Sequence, residues 1–176
     1  MRMRVVPAAT VAMLAAVLAW NGLGLRPAPA SAATLVPFQA LVSETFSAAP
    51  CGTWAVCITA TGAGQATHLG LIAEHASVVI DTNPADRQNG CAPETRTTTM
   101  TAANGDTITM YGTGLTRCPG SDTANDSFAV TGGSGSFSGA GGSGTESNVH
   151  TFTGPGVGVS TVWYDGNITS VGSLNQ

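Results

Sequence analysis

Lysine is missing from all 176 residues, and charged side chains make up only 9% of the chain. Positive charge rests on six arginines, of which Arg2, Arg4 and Arg26 lie near the N-terminus. From residue 33 onward three arginines, Arg87, Arg96 and Arg117, stand against all ten acidic side chains, a formal −7. A surface of that sign repels phosphate backbones and anionic headgroups, so nucleic acid and anionic membranes are poor partners. Long apolar runs are scarce as well. The apolar stretch over residues 5–20 is followed by Gly22, Gly24, Pro27 and Pro29, and it falls short of the roughly 20 residues a membrane-spanning helix needs. No apolar stripe of helical period and useful length occurs further on, which argues against a helical core.

The N-terminal stretch has the form of an export signal. Arg2 and Arg4 precede the apolar stretch, and Ala30-Ser31-Ala32 supplies small residues for cleavage. The reading is a signal peptide over 1–32 and one domain over 33–176, secreted, with no membrane span after cleavage. Four cysteines, Cys51, Cys57, Cys91 and Cys118, follow in that exported part. Their number points to two disulfides, and their spacing fits no zinc pattern.

The pattern after residue 33 is that of β-structure. In residues 35–47, Phe38, Ala40, Val42 and Phe46 alternate with polar neighbours, the period of a half-buried strand. Glu44 falls on the apolar parity, so it is either an inward carboxylate or the mark of a bulge that shifts the register. A second strand over 51–60 ends at Thr61-Gly62-Ala63-Gly64, and a long run over 65–80 carries a bend at Gly70. A polar loop over 81–93 leads to two Thr-rich strands on either side of Asn104-Gly105. That dipeptide favours a type I′ turn with both central residues at positive φ. Pairing about it places residues whose numbers sum to 209 opposite each other, and Cys91 with Cys118 satisfies that sum. Cys51 then pairs with Cys57, which requires the chain to turn near Pro50, Gly52 and Thr53.

Further strands follow over 125–131, 144–153 and 157–169, the last with Val159, Thr161 and Trp163 on one parity. Roughly eight strands with regular turn signals describe an all-β sandwich or barrel. Between two of the strands, residues 130–145 hold seven glycines and one aromatic. Gly132, Gly133 and Gly135 can supply positive φ for a tight reversal, and Phe137 can fold back over an open end of the interior. Gly139, Gly141, Gly142 and Gly144 permit a strongly coiled strand of the sort a small barrel needs.

The same stretch resembles the Gly-Gly-Thr-Gly-x-Phe-x-x-Ala-x-Gly signature of plant dirigent proteins and allene oxide cyclase-like barrels. Gly132, Gly133, Ser134, Gly135, Phe137, Ala140 and Gly142 carry it, with serine at the usual threonine. Ala66-Thr67-His68-Leu69-Gly70 and Ala102-Ala103-Asn104-Gly105-Asp106 look like the secreted bacterial branch of that group. The resemblance implies a single antiparallel, roughly eight-stranded closed barrel of calycin type. It implies cyclase or stereochemistry-directing activity only as a possibility of the fold, because the acidic and basic residues of those reactions have no matched positions here.

Chemistry is thinly marked. His68, His75 and His150 could meet Glu74 or Asp106 in a metal or acid/base site, but no two histidines have the local spacing of metal ligands. No G-x-S-x-G nucleophile elbow occurs, and the glycine run lacks the lysine and helix of a phosphate loop. No metal and no cofactor is therefore expected. Glu44, if inward, and His68 are the candidates for acid/base work. The reading is a non-catalytic binding module for a small apolar ligand, held by Trp54, Ile58, Ile108 and Trp163. The alternatives are an enzyme of the cyclase or stereochemistry-directing kind, and a structural or interaction protein with a filled barrel that associates through its Thr-rich hairpin as a homo-oligomer.

Overall fold

Alternation of period two runs through eight segments, and in the computed structural model, which describes residues 34–169, each becomes a strand. They are β1 (Leu35–Gly52), β2 (Ala55–Ala66), β3 (Gly70–Asp81), β4 (Ala92–Ala102), β5 (Thr107–Thr116), β6 (Thr123–Gly133), β7 (Gly142–Gly154) and β8 (Val157–Thr169). Each pairs antiparallel with the next, and β8 pairs with β1, so the sheet closes into a barrel. Single 3₁₀ turns, Pro84–Asp86 and Gly135–Phe137, sit in two of the connections. Closure leaves the Thr-rich β4–β5 hairpin paired on both sides, so it offers no free edge for strand addition. The expected signal peptide and its cleavage point lie outside the described residues.

The ends of the barrel differ. At one, the Gly135–Phe137 turn tucks Phe137 inward until it is 1% exposed. There it joins Phe38, Val42, Met100, Ile108 and Ile168 in the main apolar cluster. At the other end, smaller clusters around Phe46, Ala60 and Ala76, and around Val78, Ile80 and Ala92, leave the interior incompletely filled. Both disulfides lie at this second end: Cys51–Cys57 across the β1–β2 corner, and Cys91–Cys118 from the start of β4 to the segment after β5.

Several local expectations need correction. The β4–β5 turn is not type I′. Gly105 N donates to Ala102 O at 2.9 Å, Gly105 alone takes positive φ (+90°), and Asn104 uses its side chain to accept from Asp106 N. This is a type I turn followed by a glycine bulge. The ladder therefore pairs Thr101 with Thr107 and Ala92 with Thr116, sums of 208 and not 209. The disulfide forms because Arg117, at φ +51°, swings the chain back and brings the Cα atoms of Cys91 and Cys118 to 4.1 Å.

Gly62 and Gly64 do not end β2. They lie inside it, and the reversal comes at residues 67–69, with His68 at φ +67° and Gly70 at φ +71°. In β8 the parity is the opposite of that expected. Val162, Tyr164 and Ile168 point inward, and Val159 and Trp163 point outward. Both parities of this strand carry apolar residues, so periodicity alone could not choose between them.

In the glycine stretch only Gly135 among the three turn candidates takes positive φ (+59°), with the Asp106 carboxylate packed where a Cβ would be. Gly133 has ordinary φ but touches the Phe137 backbone and side chain, and Gly132 has open space around it. Gly135→Val therefore meets both backbone strain and a collision, and is expected to destabilise by about 2–4 kcal/mol. Gly132→Ala is expected to stay within about 0.5 kcal/mol of the parent. Urea unfolding of the two variants side by side measures the contrast.

Candidate functional site

Five inward positions carry carboxylates where the alternation calls for apolar side chains: Glu44 on β1, Glu74 on β3, Glu94 on β4, Asp126 on β6 and Glu146 on β7. Arg96, on β4, is the one cation among these buried side chains. All six are 6% exposed or less, an arrangement that is costly unless the charges are paired or neutralised. Together they form a polar belt between the two apolar ends of the interior.

Glycine windows make room for the belt. In the register, Gly62 lies between Glu44 and Glu74, and Gly114 lies between Glu94 and Asp126. A Cβ on Gly62 would stand 2.9 Å from Glu44 Cγ, and one on Gly114 would overlap the Asp126 carboxylate. Each glycine lets the carboxylate beside it lie flat across the neighbouring strand toward the next acid. The same device serves the aromatics: Phe46 lies across Gly158, and Phe128 lies across Gly144.

Arg96 is the hub. Its Nη2 donates to Glu44 Oε1, to Glu74 Oε1 at 2.7 Å and to Tyr164 Oη at 3.2 Å. Its Nε donates to Thr98 Oγ1 at 3.0 Å and lies 3.1 Å from Glu146 Oε1 as an ion pair. Tyr164 donates to Glu74 Oε1 at 2.8 Å, and Ser160 donates to Glu44 Oε2 at 2.8 Å. Glu74 Oε2 and Asp126 Oδ1 accept no hydrogen bond from the described residues.

One arginine cannot hold so many ionised acids in so dry a place, and Glu74, Glu94, Asp126 and Glu146 respond by holding their protons more tightly than usual. Burial pushes the Glu74 carboxyl up to about 7, against the pull of Arg96. Glu146 is driven by burial to about 8, although Arg96 is close. Burial, reinforced by the charge of Asp126, raises Glu94 to about 8. Asp126 is raised too, again by burial. Burial opposes the charge on Arg96, but Tyr164, Glu146, Glu44 and Glu74 together outweigh it, and the guanidinium is held more firmly ionised than usual.

On the disulfide-braced side the belt becomes the floor of a cavity of about 50 Å³. That is room for roughly four waters, at 10–15 Å³ each. Its walls are Phe46, Ile58, Ala60, Val78, Ile80 and Phe152, and its polar lining includes Glu44, Glu94, Arg96, Asn148 and His150. Arg117, exposed, stands at the rim. His150 is half-buried, and burial lowers its pKa, which keeps the ring neutral.

The belt settles the question about Glu44. The register of β1 is unbroken there on both sides, so there is no bulge, and the side chain points inward. His68 is placed elsewhere, exposed in the β2–β3 turn with Nε2 at 2.9 Å from Pro37 O. His75 is exposed on the outer face of β3. Asp106 is a surface residue whose pKa is lowered by hydrogen bonds from Ser136. Of the four residues expected to line the interior space, only Ile58 does so. Trp54 and Trp163 are 54% and 44% exposed on the outside, and Ile108 is sealed in the core near the plugged end. Among the described residues no three His, Cys, Asp or Glu side chains are placed to hold one metal ion.

Arg96, Glu94, Asp126, Glu146 and Tyr164 were not singled out by sequence reasoning, although the signal was present. Asp126 shares parity with Ala124, Phe128 and Val130, and Arg96 with Met100 and Ala102. The break in pattern marked at Glu44 thus recurs on other strands.

No protein-family model matches the chain, and no curated protein matches it. Among solved structures it is similar to that of a pterocarpan synthase dirigent protein, at 16% identity and a TM-score of 0.46, over 81% of this chain and 98% of that one.

Proposed function

We propose that the barrel receives part of a small molecule at its disulfide-braced end, with the apolar wall holding the ligand's flanks and the belt meeting its inner, polar end. The observation that carries this reading is the cavity itself. It is a recess with six apolar wall residues beside Glu94 and Arg96, apart from the main apolar cluster that Phe137 joins. A cavity of this size takes a head group and not a whole apolar ligand, for which about 300 Å³ or more is usual. The ligand class expected from sequence is narrowed accordingly, from an apolar molecule to one with a polar end. The two disulfides accord with export.

The test is methyl NMR with 3,3-dimethylbutan-1-ol as a small probe, branched and uncharged. Shifts are expected at Ile58, Val78 and Ile80, with the Trp54 and Trp163 indoles unmoved. Shifts confined to the outer tryptophans would contradict the reading.

A second reading has its own observation. Glu94 lies beside Asp126 with its carboxyl pushed up to about 8, within the range useful for proton transfer near neutral pH. A cyclase or stereochemistry-directing enzyme would use such a group. Its signature is a ligand altered by the parent protein and recovered unchanged from Glu94→Gln.

A further inference from the structure

The interior charge is unbalanced in a particular direction. Arg96 is engaged by Glu44, Glu74 and Glu146. Among the described residues no salt bridge or hydrogen bond joins a cation to Glu94 or Asp126, which lie together across Gly114. Glu94 is 6% exposed and lines the cavity. An acidic side chain so placed favours a ligand that brings positive charge or a hydrogen-bond donor.

The opposite part of the cavity has the complementary chemistry. Phe46, His150 and Phe152 all line it. Their ring centroids lie 5.4 Å (Phe46 to Phe152), 5.7 Å (His150 to Phe152) and 6.4 Å (Phe46 to His150) apart, with interplanar angles of 89°, 86° and 86°. Three mutually perpendicular rings make the corner of a box. Aromatic corners of this kind attract alkylated ammonium groups through the negative ring faces. Gly158 makes the corner possible, since a Cβ there would stand 2.8 Å from Phe46 Cε1.

We propose that this mouth cavity binds a small organic cation, an alkylammonium head group, between the Phe46–His150–Phe152 corner and the Glu94 carboxylate. The proposal rests on the cavity being a ligand site, as argued above. Space for roughly four waters accommodates a head group of four or five heavy atoms, with the remainder of the ligand in the mouth. An anion would face Glu44 and Glu94 at the floor, where the charge of Arg96 is already engaged by Glu44, Glu74 and Glu146. A neutral apolar group would bring the Glu94–Asp126 pair no positive charge. Arg117 is exposed at the rim, so its charge can turn to water.

Binding is coupled to a proton. In the free protein the Glu94–Asp126 pair keeps one, and an arriving cation replaces it, the proton passing to the buffer. The groups around that pair are Arg96 on β4, Asp126 on β6, Glu146 on β7, Glu44 on β1 and Glu74 on β3, with His150 on β7 and Arg117 at the mouth. Affinity for a cation that does not itself titrate should rise with pH toward about 8, where Glu94 ionises.

Choline and its uncharged isostere 3,3-dimethylbutan-1-ol form the matched pair of probes. Calorimetry at pH 8.5 is expected to show choline binding at least about ten-fold more tightly than the alcohol. The preference should narrow at pH 6, and protons should be released on choline binding. Glu94→Gln should abolish the preference for choline over the alcohol and the proton release that accompanies choline binding. Equal or tighter binding of the alcohol overturns the cation inference and leaves the cavity as a ligand site. Binding of neither overturns both. Should Glu94→Gln fail to fold, the choline-to-alcohol ratio of the parent protein and its pH dependence decide the matter alone.

Discussion

Replacing Arg96 by methionine is expected to cost about 3–5 kcal/mol at pH 7.5, the range for breaking a buried charge network by removing one partner. Methionine keeps the unbranched aliphatic stem of the side chain and removes the guanidinium, so the loss is electrostatic more than steric. The guanidinium ties Glu44, Glu74 and Glu146 together and also contacts Tyr164 and Thr98. Without it these carboxylates face one another in a dry interior. Glu74 and Glu146 can relieve the repulsion by binding protons, so the penalty should shrink as pH falls toward 5. A structural role that depended on packing alone would give the same loss at both pH values. Urea unfolding of the parent and Arg96→Met at pH 5.5 and 7.5 separates the two, and makes the variant informative even if it is largely unfolded at the higher pH.

The second large effect is the protein's own dependence on pH, which should run opposite to that of most acidic proteins. Glu74, Glu94 and Glu146 have folded-state pKa values of about 7, 8 and 8, above the ordinary 4.5. For an acid whose folded pKa is raised, the native state binds the proton more tightly than the unfolded chain. Stability from this source is fully present below about pH 4.5 and is lost as pH rises through 7 to 8. Each proton retained by the folded state alone contributes a slope of about 1.4 kcal/mol per pH unit across that window. The belt titrates as a unit, because Arg96 and the acids share one another's fields. One net retained proton suffices to make the protein about 2–3 kcal/mol more stable at pH 5.5 than at pH 7.5. Unfolding midpoints that increase between those values would contradict the raised pKa values of the belt.

The closed sheet was legible from residue pattern because a half-buried strand must alternate, and β1 and β6 do so plainly. Where the pattern misled, two physical effects shared the same residues. Gly62 and Gly64 look like turn glycines, but they are windows that let β1 and its Glu44 approach closely. Asn104-Gly105 looks like a two-residue turn, but only Gly105 takes positive φ. The ladder is one residue out of the expected register, and Arg117 makes up the difference at the disulfide. The pairing of Cys91 with Cys118 was thus reached through a register the protein does not use.

The belt was harder to read. One inward acid could be explained as a bulge, and only the register places Glu44, Glu74, Glu94, Asp126 and Glu146 around the same arginine. Sequence separation hides this, since Arg96 is 52 residues from Glu44 and 68 from Tyr164. Trp54 and Trp163 misled in the other direction. Large aromatics are usually placed inside by default, but this interior is occupied by Phe38, Phe128, Phe137 and Tyr164.

The dry barrel interior holds more carboxyl groups than one arginine can neutralise, and keeps protons on Glu94 and Glu146 at neutral pH. Carbon-13 NMR of the glutamate side-chain carboxyls, followed from pH 4 to 9, tests it residue by residue. Glu94 and Glu146 are expected to titrate near 8 and Glu74 near 7. Titration of all three between 4 and 5 would mean that the belt is ionised and solvated, and would contradict the account.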